Sequence, residues 1–153
     1  MSLYNLIAHF KDCIELPIKV DDVRRWIIDN GFQEEIIFNP TDSNPAILKG
    51  LTVQYITRDT VYGDPKRVTL ITYPLKLNSC WERFVCCKEM IHILDSKESR
   101  TASSEEINDL TLSLTSPNEN RTTSPALIAD ESAIISSLRV LAPISIIDAI
   151  RPE

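Results

Sequence analysis

The stretch SCWERFVCCKEMIHILD, residues 79–95, decides the fold that we expect of this chain. Its apolar residues recur at spacings of three and four, which is typical of an amphipathic helix of about four turns. Asn78 or Ser79 can cap the first turn, because each side chain carries an oxygen that accepts hydrogen bonds from free backbone N–H groups. The apolar residues before this helix alternate as in a strand, so the helix marks a change from strands to helices along the chain.

Two shorter helices are expected near the N-terminus. Apolar residues at helical spacing cover residues 3–16, and Pro17 ends this segment because proline cannot continue a helix. A second helix is predicted over residues 23–30, where Asn30 followed by Gly31 is a C-terminal signal.

The predicted sheet is antiparallel and has three strands. Alternating and β-branched residues over 47–57 and 67–73 predict two of them. The turn-forming residues 62–65 between these segments favour an antiparallel hairpin. Residues 36–38, which are short and apolar, are expected to add a third strand at an edge of the sheet.

Further helices are predicted after the central one. A capping-box spacing favours a helix over residues 103–114. A loop rich in Ser, Thr, Asn and Pro follows at 115–125, and helices over 126–141 and 144–150 complete the chain. Helices, a small antiparallel sheet and further helices make one α+β domain over residues 1–153.

The composition excludes several classes of binding protein. The three glycines are far apart, which excludes the G-x-G-x-x-G and P-loop nucleotide-binding motifs. The formal net charge of −6 argues against a nucleic-acid groove, because such a groove needs a basic face. No apolar run is long enough to span a membrane, and no signal-peptide pattern opens the sequence. We therefore expect a cytoplasmic protein with neither a nucleic-acid nor a membrane partner.

Histidine and cysteine limit the metal sites that the chain can form. The two histidines, His9 and His92, are too few for a three-histidine site. The four cysteines lack the spacing of a disulfide scaffold, so we predict reduced thiols. A metal site of Cys80, Cys86, Cys87 and His92 stays open, as does a nucleophilic pair of a cysteine with a histidine. Adjacent cysteines on one helix, however, diverge by about 100°.

The central helix carries the strongest chemical signal, Lys88-Glu89-x-x-His92. This is the zincin motif H-E-x-x-H with its first histidine replaced. In the intact motif, two histidines four residues apart bind zinc from one helical face, and the glutamate is the general base for the metal-bound water. Glu89 is therefore a candidate base and His92 a candidate ligand, whereas the ammonium of Lys88 has no lone pair for a metal.

The chain resembles the ImmA/IrrE family of metallopeptidase-like domains over most of its length. That family has an Arg-Phe pair before H-E-x-x-H, which Arg83 and Phe84 match here. Its downstream helix of the type E-A-x-x-F-A-x-x-L-L-x-P is matched by residues 130–143 in length, in Ala133 and in the closing Pro143. The resemblance implies a zincin-like minimal domain, with a three-stranded antiparallel sheet packed on the motif helix. It also implies a protein partner, a helix-turn-helix regulator.

The resemblance indicates that a second metal-ligand position is altered. Alignment on Ala133 and Pro143 places Ser132 where the family has its third, acidic ligand. Glu131 and Asp130 precede it by one and two residues, and each step turns a helix by about 100°, so neither is an automatic substitute. Two of three ligand positions are therefore changed, which implies the loss of zinc binding.

The lysine in the motif suggests a charge substitution. Its ammonium would lie where the family has its metal and would supply one positive charge to carboxylates that otherwise repel one another. The carboxylates within reach along the sequence are Glu89, Asp95, Glu131 and Asp130.

Three functions follow from these patterns. The prediction is a degenerate metallopeptidase-like domain, a pseudoenzyme without zinc or another cofactor, which acts in regulation by binding a protein. One alternative is an active metal-dependent peptidase, with zinc held by His92, Glu131 and Asp130 or Asp95, and with Glu89 as base. The other alternative is a structural interaction module without cleft chemistry.

Overall fold

The computed structural model describes residues 2–44, 49–60, 62–95 and 125–151. Over these ranges the chain forms helices and one three-stranded mixed sheet, an α+β fold as predicted. In chain order the elements are α1 (Leu3–Phe10), α2 (Val20–Asp29), β1 (Glu35–Thr41), β2 (Leu51–Thr57), β3 (Lys66–Pro74), α3 (Ser79–Ile91), a 3₁₀ turn (His92–Leu94), α4 (Pro125–Leu141) and α5 (Ile144–Ile150). The helix predicted over 103–114 and the loop up to residue 124 lie outside the described residues.

The predicted helix ends at Asn78 and at Gly31 are confirmed, whereas α2 begins at Val20, three residues before its predicted start. Asn78 caps α3, because its side chain accepts hydrogen bonds from the backbone N–H groups of Cys80 and Trp81. Gly31 adopts a φ of 99° directly after α2, and its N–H donates to the carbonyl of Ile28. The first helix lacks such a signal at its C-terminus and ends at residue 10, six residues earlier than predicted.

The order of strands in the sheet is β1-β3-β2. The antiparallel hairpin of β2 and β3 is confirmed, and so is the edge position of β1. The prediction of an entirely antiparallel sheet is wrong, because β1 pairs with β3 in parallel. β1 and β2 lie on opposite sides of β3, so that β3, which has the most buried residues, is the central strand. Alternation of side chains predicts a strand but not the direction of its neighbour.

One hydrophobic core surrounds α3, which packs against β2 and β3 and also against α2 and α4. The fully buried residues that join these elements are Leu6, Val23, Ile27, Ile71, Cys87, Met90, Ile91 and Val140. Burial of one large apolar side chain contributes about 1.5–3 kcal/mol, so contacts from several elements fix the position of α3.

The two adjacent cysteines of α3 are part of this packing. Cys86 and Cys87 are free and buried, and burial raises the pKa of each to about 12. Both side chains therefore stay protonated at neutral pH and behave as small apolar residues.

No single helix of the described chain is long and apolar enough to cross a membrane. Two consecutive segments, Leu127–Leu141 and Ile144–Ile150, reach that length and apolar composition only when they are taken together. The angle between them is 61°. The first of them places Leu127, Ala133 and Val140 among the buried residues of the protein.

The approach of the sheet to α3 requires a glycine at position 50. A Cβ atom there would lie 2.5 Å from Glu89 Oε1 and 2.7 Å from Val85 Cγ1, much closer than such atoms approach. We expect Gly50→Ala to lower the free energy of unfolding by about 1–3 kcal/mol, because α3 and the chain before β2 must move apart. Urea denaturation measures this. Gly63→Ala is the control, since its nearest neighbour is the movable hydroxyl of Thr60, and a loss equal to that of Gly50→Ala would contradict the prediction.

Candidate functional site

The residues of the Lys-Glu-x-x-His motif lie at the C-terminal end of α3, where α4 passes beside it. Lys88 Nζ lies 2.8 Å from Asp130 Oδ1 on α4 and 2.9 Å from Glu89 Oε1. The side chain of Lys88 is only 13% exposed. A single, largely buried ammonium therefore bridges two carboxylates from neighbouring helices.

Glu89 is almost completely buried and faces the sheet. The hydroxyl of Thr52 on β2 lies 2.9 Å from Glu89 Oε2 and 3.0 Å from its backbone oxygen, so its one proton is shared between two acceptors. Oε1 is buried and accepts no hydrogen bond from a described residue, although it contacts the ammonium of Lys88 at ion-pair distance. The carboxylate of the candidate base is thus enclosed by Lys88, Thr52 and the backbone near Gly50.

His92 connects two more carboxylates. Its Nδ1 lies 2.6 Å from Asp95 Oδ2, and its Nε2 lies 3.4 Å from Asp130 Oδ1. Burial lowers the pKa of His92, but its contacts with Asp130 and Asp95 raise it by more, to about 9. The imidazole is therefore protonated at neutral pH, and both ring nitrogens are N–H donors without a lone pair for a metal.

Asp130 is the residue that joins the two cations. Burial raises the pKa of its carboxyl group, but His92 and the charge of Lys88 lower it to about 2. Burial likewise lowers the pKa of Lys88, and the charges of Glu89 and Asp130 more than offset this, so the pKa lies above its ordinary value. Opposite charges thus hold each other in their ionised forms inside the protein.

The alignment by spacing and the structure disagree about which residue of α4 lies at the position of the third, acidic ligand. Ser132, which the alignment put at the acidic ligand position, is exposed, and Glu131 is exposed as well. Asp130 faces the motif because it lies three residues before the buried Ala133, nearly one helical turn, and so shares its face of α4. The structure therefore brings together Lys88, Glu89, Asp130, His92 and Asp95, and it leaves Glu131 outside.

Thr52 is the member of the site that sequence analysis did not find. It precedes Glu89 by 37 residues and stands in a strand without any motif. The only sequence signal is the alternation of side chains along β2, which places Thr52 and Gln54 on the same face of the sheet. Which face α3 covers is a tertiary property.

The cluster does not fit a zinc ion. Among residues 2–44, 49–60, 62–95 and 125–151, no group of three His, Cys, Asp or Glu side chains could hold a metal. All four cysteines lie in these ranges, and Cys80 is exposed whereas Cys87 is buried. The position between Glu89 and Asp130 is taken by the ammonium of Lys88, and the imidazole nitrogens of His92 face carboxylates.

Comparison of the chain with protein-family models, with curated proteins and with solved structures finds no match. The resemblance to the ImmA/IrrE family therefore depends on the residues and spacings in this sequence.

The position of Asp130 predicts that two adjacent acidic residues differ in their contribution to stability. Asp130→Asn removes the carboxylate that contacts both Lys88 and His92, and removing one partner of a buried pair costs about 3–5 kcal/mol. Glu131→Gln, at an exposed position, should cost less than about 1 kcal/mol. Urea denaturation of both variants makes the comparison. Equal losses would mean that Asp130 is not the bridging carboxylate.

The raised pKa of His92 predicts a loss of stability in mild alkali. Its protonated form contributes to stability fully below the ordinary pKa of 6.5, and the contribution disappears as pH rises through about 9. The free energy of unfolding should fall by roughly 2–3 kcal/mol over this interval, and His92→Gln should remove most of the slope. NMR titration of the imidazole checks the assignment directly. A midpoint near 6.5 would contradict it.

Proposed function

We propose that this chain is a degenerate metallopeptidase-like domain, without zinc proteolysis, that acts in regulation by binding a protein. The observation that carries the proposal is the ammonium of Lys88, held between Glu89 and Asp130 at 2.9 and 2.8 Å. A zincin places a cation at the corresponding end of its motif helix, and here a side chain of the protein supplies one.

The chemistry of metal-assisted hydrolysis also argues for an inactive site. A zincin needs a metal-bound water and a glutamate that is free to accept its proton. In this chain Glu89 already contacts the ammonium of Lys88 and the hydroxyl of Thr52. These contacts hold the Glu89 carboxylate inside the protein, where it is not poised to accept a proton from water.

The resemblance to the ImmA/IrrE family extends the proposal to the partner, a helix-turn-helix regulator. The acidic net charge of −6 favours the protein partner over nucleic acid itself as the binding target. The four free cysteines fit a reducing compartment, so the proposal places the protein in the cytoplasm.

Metal content and peptidase activity test the proposal together. Protein purified without chelators should contain much less than one zinc ion per chain by elemental analysis, and it should not cleave casein or a mixed peptide library. Addition of zinc should not induce cleavage. One zinc ion per chain that is lost in His92→Ala would instead support the alternative of an active peptidase with a non-standard site.

A change at position 88 tests whether the ammonium stands in for a metal ligand. Lys88→His places two imidazoles four residues apart on α3, facing Asp130, which is the spacing that zinc requires. We expect this variant to bind one zinc ion per chain by calorimetry and elemental analysis. Lys88→Gln is the matched control, because it also removes the charge but adds no ligand. Equal zinc binding by both variants, or by neither while both are folded, would contradict the proposal.

A further inference from the structure

The last helix, α5, keeps its apolar side chains at the surface of the protein. It has the sequence ISIIDAI, and none of its residues is buried. Ile144, Ile147 and Ile150 are 45%, 39% and 74% exposed. A helix so rich in isoleucine normally covers one side against a core, because burial of each large apolar side chain contributes about 1.5–3 kcal/mol. The surface of α5 therefore has the composition of a contact surface.

The exposed apolar surface continues from α5 onto the elements beside it. Leu138, in the last turn of α4, is 54% exposed, and Ala142, four residues later on the same side of the chain, is exposed as well. Ile14, which is 77% exposed, lies in the loop after α1. The hydroxyl of Ser145 donates a hydrogen bond of 3.2 Å to the carbonyl oxygen of Cys13, which holds this loop against α5. The C-terminal patch, as we call this surface, consists of Ile14, Leu138, Ala142, Ile144 and Ile147.

Charged residues flank the C-terminal patch and do not interrupt it. Residues 140–147, VLAPISII, include no charged side chain. Arg139 precedes this run and Asp148 follows it, and both are exposed. Asp148 Oδ1 lies 3.9 Å from Arg151 Nη1, a surface pair of the kind that contributes little to stability. The patch thus has an apolar centre with a positive charge at one end and a negative charge at the other.

We propose that the C-terminal patch packs against the same patch of a second copy of this chain about a twofold axis. Arg139 lies four residues before Pro143, and Asp148 lies four residues after Ile144. An axis that passes between Pro143 and Ile144 therefore brings Arg139 of each copy near Asp148 of the second. Such an interface uses one surface twice, so it must be complementary to itself, and these charges meet that condition.

The composition and the size of the patch also favour a second copy. Interfaces of homodimers are more apolar, at about 65% of their area, than those of transient complexes. Exposed isoleucine and leucine side chains make the patch comparable to the largest apolar patch of a typical monomer, about 300–600 Å². With its charged rim the surface approaches the roughly 800 Å² per partner that a stable interface buries. The proposal does not depend on the function of the α3 cluster.

Charge reversal tests both the dimer and the pairing of its ends. Sedimentation equilibrium of the full chain should show a concentration-dependent equilibrium of monomer and dimer. Arg139→Asp and Asp148→Arg should each weaken the dimer by about three- to tenfold, because each change places like charges together at two symmetry-related points. The double variant exchanges the two charges and should restore the dimer. Failure of the double variant to recover would overturn the proposed arrangement.

Crosslinking tests the position of the axis. In a background of Cys13→Ser and Cys80→Ser, Ile144→Cys should form a covalent dimer with a short bismaleimide, because the axis passes beside this residue. Ile128→Cys is the matched control: the side chain is 53% exposed, but it lies about 20 Å before the end of α4 and hence far from its symmetry mate. Equal crosslinking at both positions, or none at position 144, would overturn the proposal.

A substitution in the centre of the patch tests its apolar character. Ile147→Lys should weaken the dimer at least tenfold, because the interface would have to bury a charge. Leu75→Lys is the control, since it replaces a 63% exposed residue outside the patch and should leave the equilibrium unchanged. A folded chain that stays monomeric at every concentration overturns the proposal, whether its patch then binds another protein or vesicles of phosphatidylcholine and phosphatidylglycerol.

Discussion

The buried ammonium of Lys88 is the interaction on which the arrangement around α3 depends. It lies between Glu89 of its own helix and Asp130 of α4, and Asp130 in turn faces His92. A buried cation is costly unless carboxylates replace its water, and a buried carboxylate is costly for the same reason. The two helices must therefore meet at this point, because separation would leave charges of both signs inside the protein without partners.

The sheet completes the enclosure of this cluster from the opposite side. Thr52 brings a hydroxyl to Glu89, and the absence of a side chain at Gly50 allows the backbone to pass close to the same carboxylate. The charged cluster contacts α4 on one side and β2 on the other, and the two contacts together restrict the position of α3 more than either does alone. It joins α3 to α4 and to β2, which lies at one edge of the sheet.

Much of the local structure could be predicted because its causes are local. The helical period of residues 79–95, the capping side chain of Asn78 and the left-handed Gly31 each act within a few residues of their own position. The hairpin of β2 and β3 was predictable because the two strands follow each other in the chain and turn-forming residues lie between them. The parallel pairing of β1 with β3 was not, since it depends on a crossing of the chain that has no periodic signal.

The sequence by itself determined that lysine, glutamate and histidine lie at the spacing K-E-x-x-H on an amphipathic helix, and that four carboxylates could pair with the lysine. Only the tertiary structure decided which of them does. Asp130 faces Lys88 while Glu131 and Ser132 face outward, because the burial of Ala133 sets the rotation of α4 about its axis. One residue along a helix changes direction by about 100°, so the choice between neighbouring carboxylates depends on packing against the core and not on spacing along the chain.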